Sequence, residues 1–495
     1  MKLSNLFANL TDASLLPDTD ILSVTESSTT ANPRSVFVCI QGAIHDGHRY
    51  APDAYARGCR VFVAEQTLDL PEDACVIPVL DTRQTLATLA CRLYGNPSHR
   101  MHLIGITGTK GKTTTARLLM HILNQHGIPC GYIGTNGISY VNVQIPTKNT
   151  TPDALTLQEA LSKMLAAGVS TAILEVSSQA LLQHRADGTR FQTVLFTNLS
   201  PDHIGKHEHP DMESYLACKR RLFAEFGAES VIYNTDDPAA TYMLDGTSAS
   251  RRISCSTRGA KADFLANDVS LLRNEQALGV SFTVQSKRET LPCFVPLLGS
   301  ANAENALLAL VTAHEIFGIS LQNAVKSLSL ASVAGRSEWI PLPNGACVVI
   351  DYAHNAVSLR QLLSTLREYR PKRLIALFGS VGGRSQMRRR ELGAVAAELC
   401  DLAILTSDNP GNESPDIIIE EIAEAFRSYD TPFLKIADRA EAIRKAVELT
   451  RAGDILVLAG KGHEAYQLIG DEKVPFCERG LVAEAIKSSL LSNKK

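Results

Sequence analysis

Residues 103–123 constrain this chain more than any other segment. The apolar run Leu103-Ile-Gly-Ile-Thr107 reads as a buried strand, Thr115-Ala-Arg-Leu-Leu-Met-His-Ile-Leu123 reads as a helix, and Gly108-Thr-Lys-Gly-Lys-Thr-Thr114 stands between them. A strand that turns through glycines directly into a helix aims backbone N–H groups and the helix N-terminus at one point, which makes an anion cradle. Lys112 is placed to reach terminal phosphates and the Thr113 hydroxyl to hold Mg²⁺, so a nucleoside triphosphate is the expected ligand. The loop is a spacing variant, because Ile106 stands where the first glycine is usual. Chains built from such units fold as α/β proteins whose ligands collect at the carboxyl ends of parallel strands.

With 495 residues the chain is long enough for about three domains. Short strands such as Ser35-Val-Phe-Val-Cys-Ile40 and Arg60-Val-Phe-Val-Ala64 precede the turn-rich Tyr94-Gly-Asn-Pro-Ser-His99, which sets a first domain at 1–100. The phosphate loop opens a second domain, 101–333, with strands expected at Ala172–Val176, Thr193–Thr197 and Ser230–Asn234. A third, 334–495, carries apolar runs at Cys347–Asp351, Leu374–Phe378, Leu402–Leu405 and Ile455–Leu458. A net charge of −3 provides no field that would gather nucleic acid or an anionic membrane. No apolar run approaches the ~20 residues that span a bilayer, and the first residues lack a signal-peptide pattern, so a cytoplasmic protein without membrane insertion is expected. Eleven cysteines without a C-x-x-C pair read as reduced core residues rather than as a disulfide or zinc framework.

Three further groups are candidates for chemistry. Glu175 lies within a short apolar strand, where a buried carboxylate calls for a metal or cationic partner and a Glu on a solvent-facing strand is the competing reading. Asp202-His203 follows Asn198-Leu-Ser-Pro201 at another strand end; His203 is a candidate metal ligand there, and a plain loop residue is the competing reading. Lys219, within Met212-Glu-Ser-Tyr-Leu-Ala-Cys-Lys-Arg-Arg-Leu222, reads by composition as one residue of a solvated helix face.

Taken together, Gly108–Thr114, Asn149-Thr-Thr-Pro-Asp153 with Glu175-Val-Ser-Ser178, and Asn198-Leu-Ser-Pro-Asp-His203 resemble the Mur ligases of peptidoglycan synthesis over nearly the whole length, most closely the MurE branch. The resemblance implies a three-domain α/β architecture with a P-loop ATPase centre and a Rossmann-like C-terminal domain. It implies a monomeric ligase that uses ATP and Mg²⁺ to add a diamino acid to UDP-MurNAc-L-Ala-D-Glu through an acyl phosphate. Gly108, Thr109, Lys110, Gly111, Lys112, Thr113 and Thr114 would then bind ATP, with Asn302, Arg336, Asp351 and His354; Asn305 belongs to the same asparagine motif, although Ala301 replaces an aromatic. Lys219 would be carbamylated, and with Thr113, Glu175 and His203 would hold the metal. Ser28, His45, Asn149, Thr150, Thr151, Ser177, Gln183 and Arg185 would hold the UDP-MurNAc-dipeptide, with Ser27-Ser28-Thr29 and Gln179 departing from the family pattern.

For the amino-acid pocket the resemblance implies Arg384, Asp408, Asn409, Gly460 and Glu464. Members that add meso-diaminopimelate carry Asp-Asn-Pro-Arg, whose guanidinium forks onto the distal carboxylate; this chain has Asp408-Asn-Pro-Gly411. Asn412 and Glu413 leave an acidic neighbourhood, and Arg388, Arg389 and Arg390 read as a solvated helix face, so L-lysine is the first expectation, with L-ornithine or meso-diaminopimelate the alternatives. A folylpolyglutamate synthetase-like ligase and a non-catalytic nucleotide-gated switch are the competing classes; the separate N-terminal domain and Asn149-Thr-Thr151 argue against the first.

Overall fold

The computed structural model describes residues 1–12, 16–42, 45–202, 204–205, 208–274, 277–331, 338–462 and 464–492. The chain forms two compact units. The first holds 1–266, 284–290 and 304–327; the second holds 267–283, 291–303 and 328–495.

Within the first unit, β1 (Ser23–Thr25), β2 (Ser35–Val38), β3 (Val61–Ala64) and β4 (Cys75–Pro78) pair in that order as a parallel sheet. Every residue of β2 and β3 is buried, as a parallel strand covered on both faces requires. Val36, Val38, Val61 and Val63 pack toward Leu86 and Leu89 of the helix Thr82–Leu93, while Phe37 and Phe62 meet edge to face across the other side, with ring centroids 6.1 Å apart.

A second sheet in the same unit has the order β12-β11-β10-β5-β9-β6-β7-β8. Its strands are β5 (His102–Thr107), β6 (Cys130–Gly134), β7 (Gly137–Tyr140), β8 (Val143–Ile145), β9 (Thr171–Glu175), β10 (Thr193–Phe196), β11 (Ser230–Asn234) and β12 (Arg251–Ser256). All pair in parallel except the β6-β7-β8 meander. β5 lies between β9 and β10, and the register sets Ile106 beside both Glu175 and Leu195. The loop that follows β5 therefore emerges between the ends of its two neighbours, the crevice in which open α/β sheets hold ligands.

Strands β13 (Phe264–Arg273), β14 (Leu278–Gln285) and β15 (Thr290–Val295) follow in the chain, with most of their residues in the second unit. The main sheet of that unit has the order β16-β17-β21-β18-β19-β20. It comprises β16 (Glu338–Pro341), β17 (Cys347–Asp351), β18 (Leu374–Phe378), β19 (Leu402–Leu405), β20 (Phe433–Lys435) and β21 (Ile455–Ala459), antiparallel only at β16. A hairpin, β22 (Tyr466–Ile469) with β23 (Glu472–Pro475), completes it. All eleven cysteines are free and nine are buried, as expected of core thiols. Among the described residues no helix is long and apolar enough to cross a membrane.

Candidate active site

The phosphate loop is closed by contacts that only glycine permits. Gly108 has φ +147°, and a Cβ there would lie 2.0 Å from the Thr197 Oγ1; Gly111 has φ +85°, and a Cβ would lie 2.2 Å from the Asn305 Oδ1. Gly111 then caps the helix Lys112–Gln125, whose first turn holds Lys112, Thr113 and Thr114. The residues after β10 clamp the loop. Lys110 N–H donates to Asn198 Oδ1 at 3.0 Å, Thr197 Oγ1 donates to the Lys110 carbonyl at 2.7 Å, and Thr109 Oγ1 accepts from Ser200 N–H at 2.9 Å. Lys112 folds back onto its own loop, donating to the Gly108 and Thr109 carbonyls at 2.8 and 3.0 Å, and burial of its amine lowers its pKa.

Glu175 is wholly buried at the end of β9. Its Oε2 accepts from Thr113 Oγ1 at 2.9 Å, so a hydroxyl and a carboxylate, both hard oxygen donors, stand side by side at the head of the phosphate loop. That pair fits Mg²⁺. Tyr132 and Thr135 complete the surroundings of Glu175: Tyr132 donates its hydroxyl to Oε1, and Thr135 Oγ1 donates to Oε2 at 3.1 Å. Burial, followed by the charge of Glu175, raises the Tyr132 phenol, which keeps it a donor. Neither residue is singled out by the sequence reading, although both lie in the glycine-rich Gly131-Tyr-Ile-Gly-Thr135.

Lys219 corrects its composition-based reading as part of a solvated helix face. It is 1% exposed and shares the inner stripe of the helix Met212–Ala224 with Tyr215, Cys218, Leu222 and Phe223. Its Nζ donates to the Gly108 carbonyl at 3.0 Å and lies 4.8 Å from the Tyr215 ring centroid. Burial, and then the charge of Lys112, push its pKa well below the usual lysine value, which favours the neutral amine. His203 and Arg336 lie outside the described residues, as do Ala43 and Ile44.

Beside Glu175 a second cluster forms. Thr151 Oγ1 donates to the Glu175 carbonyl at 2.7 Å and accepts from Ser177 N–H at 3.0 Å, while Thr150 Oγ1 lies 3.1 Å from Thr135 Oγ1. Arg185 donates to the Thr151 carbonyl at 2.9 Å and grips Gln183 Oε1 through Nε and Nη2 at 3.1 and 2.6 Å. Thr150, Thr151, Ser177, Gln183 and Arg185 are thus brought together, next to exposed Asn149. Ser28 lies on the 3-10 turn Ser28–Thr30, and His45 Nδ1 is 3.4 Å from the Tyr50 hydroxyl.

In the second unit, Asp408, Asn409 and Glu464 converge on Lys461, a fully buried cation that the sequence reading passes over. Lys461 Nζ is 2.9 Å from Asn409 Oδ1, 3.2 Å from Glu464 Oε2 and 3.5 Å from Asp408 Oδ1; Asn409 Nδ2 donates to Glu464 Oε2 at 3.0 Å. Gly460 approaches Asp408 so closely that a Cβ would stand 3.0 Å from Oδ2. Asp408 Oδ1 is buried and, among the described residues, accepts no hydrogen bond within bonding distance; the Lys461 ammonium at 3.5 Å is its ion-pair partner. Beneath these loops Arg439 and Glu478 form a buried ion pair at 2.7 Å, and the guanidinium also donates to the Ser407 and Ala459 carbonyls at the ends of β19 and β21.

The acidic neighbourhood expected at Glu413 is not there. Arg389 is 1% exposed rather than solvated; it forks onto both Glu413 oxygens at 2.6 Å and reaches Glu421 at 2.6 Å, which pulls the Glu413 carboxyl down to about 2. Arg388 donates to the His354 carbonyl at 3.0 Å, Arg390 pairs with Glu424, and Arg384 is exposed. Gly411 has φ +58° and is fastened to the hairpin through Leu468 and Gly470 at 3.1 and 2.8 Å. Asp351 accepts from Ala353 N–H at 2.9 Å, His354 Nδ1 lies 2.9 Å from the Tyr352 carbonyl, and Asn302 donates to the Leu298 carbonyl at 2.7 Å, each within the second unit.

Comparison with known proteins identifies the domains that carry these residues. Residues 106–313 match the Mur ligase middle domain and residues 335–462 the Mur ligase, glutamate ligase domain. The UDP-N-acetylmuramoyl-L-alanyl-D-glutamate--2,6-diaminopimelate ligase of Caldanaerobacter subterraneus subsp. tengcongensis is 38% identical over 475 residues, 96% of each chain. The ligase of the same name from Chlorobaculum tepidum is 39% identical, over 93% of this chain and 91% of its own. A solved structure of a ligase so named superposes with a TM-score of 0.77 at 29% identity, covering 99% of both chains. With its nucleotide loop, its two matched domains and relatives of equal length, the chain belongs to the Mur ligase family of ATP-dependent, amide-bond-forming ligases of peptidoglycan synthesis.

Proposed function

We propose that this chain joins a diamino acid to the D-Glu carboxylate of UDP-MurNAc-L-Ala-D-Glu, with 2,6-diaminopimelate as the acceptor. The observation that carries the reading is Lys219, buried beside the Gly108 carbonyl at the head of the phosphate loop with its pKa lowered by burial and by the charge of Lys112. An uncharged amine is the form that adds CO₂, and a carbamate there turns a cation that would repel Mg²⁺ into an anion that can ligate it. Thr113 and Glu175 would hold the ion with the Lys219 carbamate and His203; when bound, it offsets charge on the phosphoryl oxygens.

Lys112 leaves its loop carbonyls for the terminal phosphates, and the loop N–H groups hold the nucleotide. The D-Glu carboxylate oxygen attacks the γ-phosphorus, the bond to the β–γ bridging oxygen breaks, and ADP departs. The free amine of the amino acid then attacks the acyl carbon, inorganic phosphate leaves with the bonding pair, and the amine loses a proton. Thr150, Thr151, Ser177, Gln183 and Arg185, with Asn149, are assigned to the dipeptide, Ser28 and His45 to the uridine end, and Asn302, Arg336, Asp351 and His354 to the nucleotide. Asp408, Asn409, Gly460, Glu464 and Arg384 are assigned to the amino acid. The division of labour follows 1–100, 101–333 and 334–495, in a cytoplasmic monomer.

The acceptor follows the relatives, whose names specify 2,6-diaminopimelate. L-Lysine is a second reading, favoured by Gly411, which brings no guanidinium to a distal carboxylate. Its other support, an uncompensated Glu413, is removed by Arg389. ADP formation is measured with and without the UDP-MurNAc-dipeptide, comparing meso-diaminopimelate, L-lysine and L-ornithine at equal concentration. The reading expects turnover only with dipeptide and acceptor together, fastest with meso-diaminopimelate; L-lysine as the best acceptor selects the second reading, and turnover indifferent to the dipeptide defeats both.

A further inference from the structure

The two oxygens of Glu175 are held in different ways. Oε1 accepts from the Tyr132 hydroxyl and from Thr135 N–H at 3.3 Å; Oε2 accepts from the hydroxyls of Thr113 at 2.9 Å and Thr135 at 3.1 Å. The donors to Oε1 are fixed. Tyr132 belongs to β6, its side chain is fully buried, the Arg117 guanidinium lies 4.0 Å from its ring centroid, and its hydroxyl accepts from Asn136 N–H at 3.3 Å. No room is left around them, since a Cβ on Gly134 would stand 2.3 Å from Oε1 and 2.4 Å from the Tyr132 oxygen. The side-chain donors to Oε2 are hydroxyl rotors, which can turn and offer lone pairs when a cation arrives.

Carboxylate denticity separates the two common hard cations. Ca²⁺ accepts six to eight oxygens and readily takes both oxygens of one carboxylate, whereas Mg²⁺ demands a tight octahedron with single oxygens at its corners. We propose that Tyr132 makes the phosphate site selective for Mg²⁺ over Ca²⁺, by occupying one oxygen of Glu175 so that only the other faces the Thr113 side. Tyr132 is thus a positioning residue acting through Glu175. The inference rests on the assignment of a divalent cation to Thr113 and Glu175.

The test is ADP affinity by titration calorimetry in Mg²⁺ and in Ca²⁺, a readout independent of turnover. The parent is expected to bind ADP about tenfold more tightly with Mg²⁺, and Tyr132→Phe to narrow that ratio to about threefold or less, chiefly by gaining affinity in Ca²⁺. Thr135→Val, which keeps both donors to Oε1, is expected to retain the parent's ratio. A Tyr132→Phe protein with the parent's ratio, or a parent with no preference, overturns the inference. If Tyr132→Phe does not fold, the parent ratio and Thr135→Val decide. If neither ion alters ADP affinity in the parent, the metal assignment itself falls, an outcome distinct from loss of selectivity alone.

Discussion

Lys219→Met tests the central electrostatic claim directly. The substitution keeps the length and apolar stem of the side chain, removes the amine, and forfeits one hydrogen bond to the Gly108 carbonyl. Because burial lowers the folded-state pKa of Lys219, between that value and the ordinary lysine pKa the unfolded chain carries a proton that the folded chain does not. Stability from this group therefore falls as pH drops through that window and rises toward alkaline pH, by about 1.4 kcal/mol per pH unit while the difference is one proton. The methionine variant lacks this dependence. Proton uptake on guanidinium unfolding, followed with an indicator dye in CO₂-free buffer near pH 8, should be greater for the parent than for the variant. Equal uptake would mean that Lys219 stays charged when folded, and the case for its carbamylation would fail with it.

Other consequences follow from the same geometry. Lys219→Ala should lose nearly all ligase activity and regain part of it with short-chain carboxylic acids that replace the carbamate; full activity without rescue removes the modified lysine from the mechanism. Gly108→Ala forces a Cβ to 2.0 Å from Thr197 Oγ1 and 2.9 Å from the Asn198 carbonyl oxygen, so ADP binding measured by calorimetry should weaken by at least about tenfold and the melting temperature should fall with it. Arg389→Met leaves Glu413 and Glu421 without their shared cation, and should cost the second unit about 3 kcal/mol in denaturant titrations followed through Trp339 fluorescence. An unchanged midpoint would show that Arg389 does not brace the Asp408–Glu413 segment.

Much of the fold is legible because buried parallel strands read as unbroken apolar runs. Ser230–Asn234, Cys347–Asp351, Leu374–Phe378 and Leu402–Leu405 form where those runs lie. Strands β13 and β14 escape the same reading because burial alternates along them, with polar residues such as Asn267 and Asp268 interrupting the pattern. In the candidate site, the phosphate loop and Glu175 are legible from local order alone. Lys219 and Arg389 are misread on composition because charge is weighed before position. Each lies on the apolar stripe of its helix, three or four residues from Tyr215, Leu222 and Phe223 or from Leu392 and Gly393, and that periodicity is the signal that marks them as buried. Lys461 has no such signal. Its contact with Asp408 comes from β19 and β21 ending close together, with β18 between them in the sheet.

The Arg439–Glu478 pair also has a temporal side. During synthesis β16 through β21 emerge before residue 478, so the Ser407 and Ala459 carbonyls can meet Arg439 while that guanidinium still lacks its counter-ion. A ribosome-bound chain stopped short of Glu478 would bury an unbalanced cation under the loops that carry Asp408 and Gly460. Charge balance beneath that pocket therefore waits on the helix Glu478–Ser492, which places its docking late in the folding of the second unit.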